Sequence, residues 1–229
     1  MSITVDAATT MWTEDMAYAA LRRLIMDAEL LPNTHHLESI IASDLGVDLA
    51  ALHAAIMRLE REGLVQSEGR GGFWISPIAT KETLDIMGKL AALESRAAYI
   101  AASTGPATID IYTLHDAIAA MQDALYRNDE VRYARAEHHF HRSIVQSSDD
   151  SPLISAALAY SEPMHRIRML TLRLEPLPQD SLQDYMLLVD ALRAGEASRA
   201  YHLHRAHWRR MCETTCKLLR KNHMECVTA

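Results

Sequence analysis

The chain has 229 residues, 49% of them hydrophobic, and a formal charge of −7. That length leaves room for two compact domains, and no apolar run is long enough to span a bilayer. Three cysteines, odd in number and without a C-x-x-C pair, suit a reducing compartment rather than a disulfide framework. With no basic-then-apolar signal segment at its start, the expectation is a soluble cytoplasmic protein without a membrane partner.

Residues 1–13 read as a loose tail. A first helix over 14–29 puts Ala17, Leu21, Leu24, Ile25 and Ala28 on one face, and Leu30-Leu31-Pro32-Asn33 ends it. A short helix over 41–45 then meets Gly46, whose permissive backbone allows a tight turn. A second helix over 49–62 follows, capped by Asp48 and closed by Gly63, with Leu52, Ala55, Ile56 and Leu59 at helical spacing. Leu64-Val65 and Phe73-Trp74-Ile75 flank Gly69-Arg70-Gly71-Gly72, the pattern of a β-hairpin. Helix, turn, helix and hairpin outline a winged helix-turn-helix, a DNA-reading module. Its charge is unusual for a DNA reader, since up to Pro77 five arginines face eleven acids, a balance of −6. DNA affinity rests on neutralising phosphates, so this argues against strong non-specific binding but leaves room for one basic face.

Ser76-Pro77 marks a boundary, with Thr80 placed to cap the next helix. Helices are expected over 81–103, 107–127, 130–148, 151–173, 179–194 and 196–221, with Asp129 and Ser151 as caps and Pro152 at a first helical position. Short connections favour antiparallel packing. The fold class is therefore mainly α: a winged helix-turn-helix over 1–77, then an all-α antiparallel six-helix bundle over 78–229.

Glu137-His138-His139-Phe140-His141 is the most chemically loaded segment of the bundle. Glu137 and His141, four apart, share a helix face with Tyr133 and Ile144 and can grip one ion. In the last helix Ala200, Leu203, His207 and Met211 form an inward stripe, which leaves His202 and His204 peripheral. Met121, Met164, Met169, Met186 and Met211 read as core filling, and Cys212 and Cys216, one turn apart, as small buried or half-buried residues.

Leu21, Pro32, Glu38, Ala42, Leu45-Gly46-Val47, Leu59-Glu60, Gly63-Leu64-Val65 and Gly72-Phe73, followed by Leu93-Glu94, Phe140-His141-Arg142, Ala191, Gly195, Ala200 and His207, resemble the GntR family of bacterial transcription regulators. The branch is the FadR-like one, with an FCD effector domain, and the resemblance runs from Tyr18 to Leu219. It implies a homodimer on a double-stranded DNA operator, a small-molecule effector in the bundle, a repressor's role and no enzymatic activity.

The departures are informative. The family's recognition helix carries a capping serine and two arginines where this chain has Asp48-Leu49-Ala50-Ala51-Leu52-His53. An arginine binds guanine bidentately, which leucine cannot do. DNA contact then falls to Ala50, His53 and the wing's Arg70 and Gly71, with Arg58 in reach of a phosphate. Alternatively Arg70 is a solvated turn residue, and Arg58 and Arg61 pair with Glu62. The module reads an unusual site, relies on dimer avidity, or has lost DNA binding and serves a purely sensory protein.

The resemblance further implies a divalent metal held by an aspartate, a histidine four residues on and two later histidines. Glu137 stands for the aspartate, His141 for the first histidine and His207 for the last; the remaining position is Tyr185. Two readings stay open. Glu137, His141 and His207 hold a zinc-like ion with open positions for water or a carboxylate effector, or these groups and Tyr185 form a metal-free polar pocket. Leu90 replaces an arginine frequent in relatives, which weakens the case for a simple organic acid. A metalloenzyme using the same three ligands is the remaining alternative.

Overall fold

The computed structural model describes residues 13–105 and 109–222, arranged as two compact units, Met1–Pro77 and Ile78–Ala229. The expected N-terminal tail, the first residues of the expected 107–127 helix, and Cys226 lie outside the described residues.

The first unit begins with α1 (Glu14–Met26), whose first turn is closed by the Thr13 hydroxyl accepting from the Met16 amide. There follow β1 (His35–Leu37), α2 (Glu38–Leu45), α3 (Leu49–Arg61), β2 (Val65–Ser67) and β3 (Gly72–Ile75). Gly46 sits at φ +66° between α2 and α3, the left-handed geometry that favours glycine in the turn. Asp48 takes the N-cap position of α3, but its side chain accepts no capping bond. The strands form an antiparallel sheet in the order β1-β3-β2. The third strand is a gain over the sequence reading, because three residues, His35-His36-Leu37, are too few to show alternation. It fits because Gly72 faces Leu37 in the register, and a Cβ on Gly72 would fall 2.6 Å from His35 Nε2. The core is built from apolar side chains: Leu21, Ile25, Leu52, Ile56, Leu59, Val65, Phe73 and Ile75 are all buried. Each contributes roughly 1.5–3 kcal/mol by leaving water.

The second unit is α4 (Thr80–Thr104), α5 (Ile111–Arg127), α6 (Glu130–Gln146), α7 (Ser151–Leu158), α8 (Ser161–Leu174), α9 (Gln179–Arg193) and α10 (Ala197–Lys221). The stretch expected as one helix over 151–173 is two. Pro163 lacks an amide hydrogen and would clash with the carbonyl of residue 159, so the helix breaks at Ala159-Tyr160 and restarts. Two expected caps also shift. Asp150 rather than Ser151 caps α7, accepting from the Leu153 amide, and Thr80 lies inside α4. Asp129 caps α6 through the Arg132 amide. Helix α6 packs against α4, α5, α7 and α8, and α10 runs along α4 and α9, so the inward faces of α4, α6, α9 and α10 converge.

Among the described residues no single helix is long and apolar enough to cross a membrane.

Candidate functional site

The bundle centre collects the side chains that the sequence placed there. Glu137 and His141 project from the buried face of α6, Tyr185 from α9 and His207 from α10, all nearly inaccessible to solvent. The Tyr185 hydroxyl lies among the other three. It donates to Glu137 Oε1 at 2.7 Å and lies 3.2 Å from His141 Nε2 and 3.1 Å from His207 Nε2. Glu137, His141 and His207 each offer one donor atom, and these atoms lie within 4.8 Å of one another, a grouping able to hold a metal ion.

Partners that sequence reasoning did not assign to the site surround this core. Arg168 of α8 is buried and pairs through Nε with the second oxygen of Glu137. Its Nη1 has no hydrogen-bond partner among the described residues. Glu94 of α4 accepts at Oε2 from His141 Nδ1 at 2.8 Å and from Trp208 Nε1 at 2.9 Å. Asp184 accepts at Oδ2 from His207 Nδ1 at 3.1 Å and also from Arg210. His204, expected at the periphery, is buried instead, 3.6 Å from Glu94. The inward face of α10 is rotated by one residue from the expected stripe. Ala200, His204, His207 and Trp208 are buried on it, while Leu203 and Met211 are half-buried. Trp208 turns that face, because its large ring is buried and its indole N–H reaches Glu94.

Sequence signals for these partners exist, as interruptions of apolar stripes. Arg168 falls between Met164 and Leu172 at four-residue spacing, and Glu94 between Leu90 and Ala97-Ala98. A charge on a buried stripe demands a partner.

The electrostatics follow from burial set against these pairings. Burial pushes Glu137 up, but Arg168 first, then His141 and the Tyr185 hydroxyl, bring its carboxyl below the usual range. Glu94, also raised by burial, is carried down to about 2 by His141, His204 and Trp208. Burial drives Tyr185 well above an ordinary phenol, with the charge of Glu137 adding to it, so the hydroxyl keeps its proton. Burial likewise lowers His207 against the pull of Asp184, and His204 falls to about 3.

Beside this centre opens a cavity of about 390 Å³. Glu137, Arg168, Asp184, His207 and Arg210 line it, together with Glu175 and Asp180.

In the first unit Ala50, His53, Arg70 and Gly71 are exposed, as a DNA-reading surface requires. His53 is not free. Its Nδ1 lies 3.2 Å from Oε2 of Glu38, a carboxylate buried under the start of α2. Arg58 pairs with Asp15 at 2.8 Å rather than with Glu62, and its guanidinium stacks 3.7 Å over the Tyr18 ring. Glu62 instead takes Arg22 at 3.5 Å and the Tyr18 hydroxyl at 2.6 Å. Arg23 pairs with Glu29 at 2.8 Å. Arg61 and Arg70 are exposed, and no ion pair to either occurs among the described residues.

A three-stranded winged helix followed by a helical bundle with a buried polar centre defines the class of ligand-responsive, DNA-binding transcription regulators. The gntR family of bacterial regulatory proteins matches residues 13–75 and the FCD domain matches residues 85–210; the chain belongs to the GntR family, in its FCD-containing branch. An HTH-type transcriptional regulator of Agrobacterium vitis, from the TAR-I ttuE-ttuC' intergenic region, is 31% identical over 142 residues, 61% of this chain and 83% of the relative. A probable D-xylose utilization operon transcriptional repressor of Paenarthrobacter nicotinovorans is 27% identical over 165 residues, 72% of each chain. Among solved structures, a GntR regulator from Rhodococcus sp. RHA1 superposes with a TM-score of 0.67 at 19% identity, covering 89% of this chain and 97% of that one. Escherichia coli McbR/YncC gives 0.64 at 15% identity over the same shares, so both support the fold.

Proposed function

We propose that the chain is a cytoplasmic, homodimeric repressor. Each winged helix reads half of a symmetric operator, and a small molecule in the bundle shifts the balance between operator-competent and incompetent arrangements. The reading assigns it no catalytic step. The observation that carries it is the buried polar centre opening on the cavity of about 390 Å³, a volume suited to a small ligand.

The cavity lining favours a hydroxylated ligand over a simple acid. Glu175, Asp180 and Asp184 outnumber Arg168 and Arg210, so a bare carboxylate meets like charge, whereas hydroxyls can donate to the acids and accept from the arginines. The D-xylose repressor among the relatives agrees with a pentose or a sugar acid. On the DNA side, Glu38 accepts from His53 Nδ1, and in the tautomer this selects for a neutral ring Nε2 is left as an acceptor. An acceptor there reads the amino groups of adenine or cytosine, and the exposed Leu49 and Ala50 suit a thymine methyl. Arg70 and Gly71 in the wing contact the backbone or minor groove.

A gel-shift titration with the DNA upstream of the protein's own gene, repeated with pentoses and sugar acids, tests this. The expected result is a sequence-specific complex that one such ligand releases. Absence of any specific complex at low salt contradicts it and favours a second reading, a sensor whose winged helix no longer reads DNA. That reading draws on the pairing of Arg22, Arg23 and Arg58 with acids in a unit whose charge balance is −6.

A further inference from the structure

Both histidines of the centre have their Nδ1 against a carboxylate, Glu94 for His141 and Asp184 for His207. An ionised carboxylate only accepts, so each Nδ1 carries a proton, and in the neutral form of each ring the lone pair of Nε2 turns inward. The third inward atom, Glu137 Oε1, is an acceptor as well. In that form three acceptors converge on one oxygen, Tyr185 Oη, which has a single proton to give. That proton goes to Glu137, the shortest contact at 2.7 Å and the charged one. The two imidazole nitrogens, at 3.2 and 3.1 Å from the hydroxyl, then face it without a hydrogen between them. Buried acceptors without donors are costly, and a cation at the point of convergence satisfies all three.

The donor set thus fits a divalent ion, but the hydroxyl does not fit beside one. Zinc binds nitrogen and oxygen at about 2.0–2.2 Å, so the imidazoles must close in on the place the hydroxyl fills. A phenol held protonated is also a poor ligand. Arg168 does not block entry in the same way, because it engages Oε2 of Glu137 and leaves Oε1 to the centre.

We propose that Tyr185 is a displaceable plug in a cation site formed by Glu137, His141 and His207, not a fourth ligand, so that removing its hydroxyl strengthens divalent metal binding. The inference deepens the sensing role given above to the bundle centre and rests on it for its biological meaning. Its test needs neither DNA nor effector, so its failure leaves that reading standing.

The experiment is calorimetric titration of zinc chloride into the chelator-stripped full chain, its Tyr185→Phe variant and the Tyr185→Phe/His141→Ala double variant, with circular dichroism on each. The proposal expects Tyr185→Phe to bind one equivalent at least about tenfold more tightly than the parent chain, and the double variant to lose that gain. Unchanged or weaker binding by Tyr185→Phe overturns it, since the hydroxyl is then a ligand or irrelevant. A gain that survives His141→Ala overturns it too, because the zinc is then bound elsewhere. Should Tyr185→Phe fail to fold, Tyr185→His tests the same position: a nitrogen ligand in place of the plug is expected to tighten zinc binding, and no gain counts against the proposal.

Discussion

The two units place their charges in opposite ways. In the winged helix the ion pairs lie on the surface, Arg58 with Asp15 and Arg22 with Glu62, over an apolar core in which Glu38 is the one buried charged side chain among the described residues. In the bundle, Glu94, Glu137, His141, Arg168, His204 and His207 are all buried within one network. Surface pairs contribute little to stability. Buried pairs are costly to break and hold side chains in one geometry, which suits a ligand site. The first unit is therefore stable through its core and acts through its surface, while the second is sensitive at its centre.

The sharpest way to break this contrast is Arg168→Met. It leaves Glu137 buried without its cation and should cost the bundle about 3–5 kcal/mol. Urea unfolding followed by the fluorescence of Trp208, buried in the bundle, should show a lower midpoint; an unchanged midpoint would mean that the pair is dispensable. Acid is the next lever. His204 is held near 3 by burial against an ordinary 6.5, so the unfolded chain takes up its proton first. Its contribution is full above pH 6.5 and is lost as pH falls toward 3, at up to about 1.4 kcal/mol per pH unit. Glu94, carried down from 4.5 to about 2, adds a loss of the same sign as pH drops through that window. Thermal melts of the full chain between pH 7 and 4 should show the bundle transition falling; a flat profile would contradict the buried network.

On the DNA side the effects are smaller. His53→Ala should weaken specific operator binding by about 1–3 kcal/mol while leaving binding to a scrambled fragment unchanged. Equal loss on both fragments would make His53 a phosphate contact. Arg58→Ala should change operator affinity less than Arg70→Ala does, because its guanidinium is held by Asp15 and Tyr18; its effect belongs to stability, about 1 kcal/mol or less by urea unfolding. A larger loss of DNA affinity from Arg58→Ala than from Arg70→Ala would show that the pair opens on the duplex.

The sequence made the helices of both units legible, because stripes such as Leu52, Ala55, Ile56 and Leu59 have one period and one explanation. It missed β1, whose three residues have no period of their own and are strand only because Gly72 lets His35 approach. The long 151–173 helix failed at Pro163, where a local backbone effect outweighed an apolar stripe. At the candidate site, Glu137, His141, Tyr185 and His207 could be placed together because helical spacing and family resemblance converge on them. Arg168, Asp184 and His204 could not, since their roles depend on which helices meet. A one-residue rotation of α10 decides whether the ring of His204 faces solvent or Glu94.

The most direct measurement is the affinity for the protein's own operator and for a scrambled fragment at several salt concentrations. Arg61 and Arg70 are the arginines of the reading unit with no ion pair among the described residues, so the account predicts a specific complex with a shallow slope of log affinity against log salt, about −4 for a dimer. Equal binding of both fragments, or a slope twice as steep, would contradict a winged helix that reads sequence with few phosphate contacts.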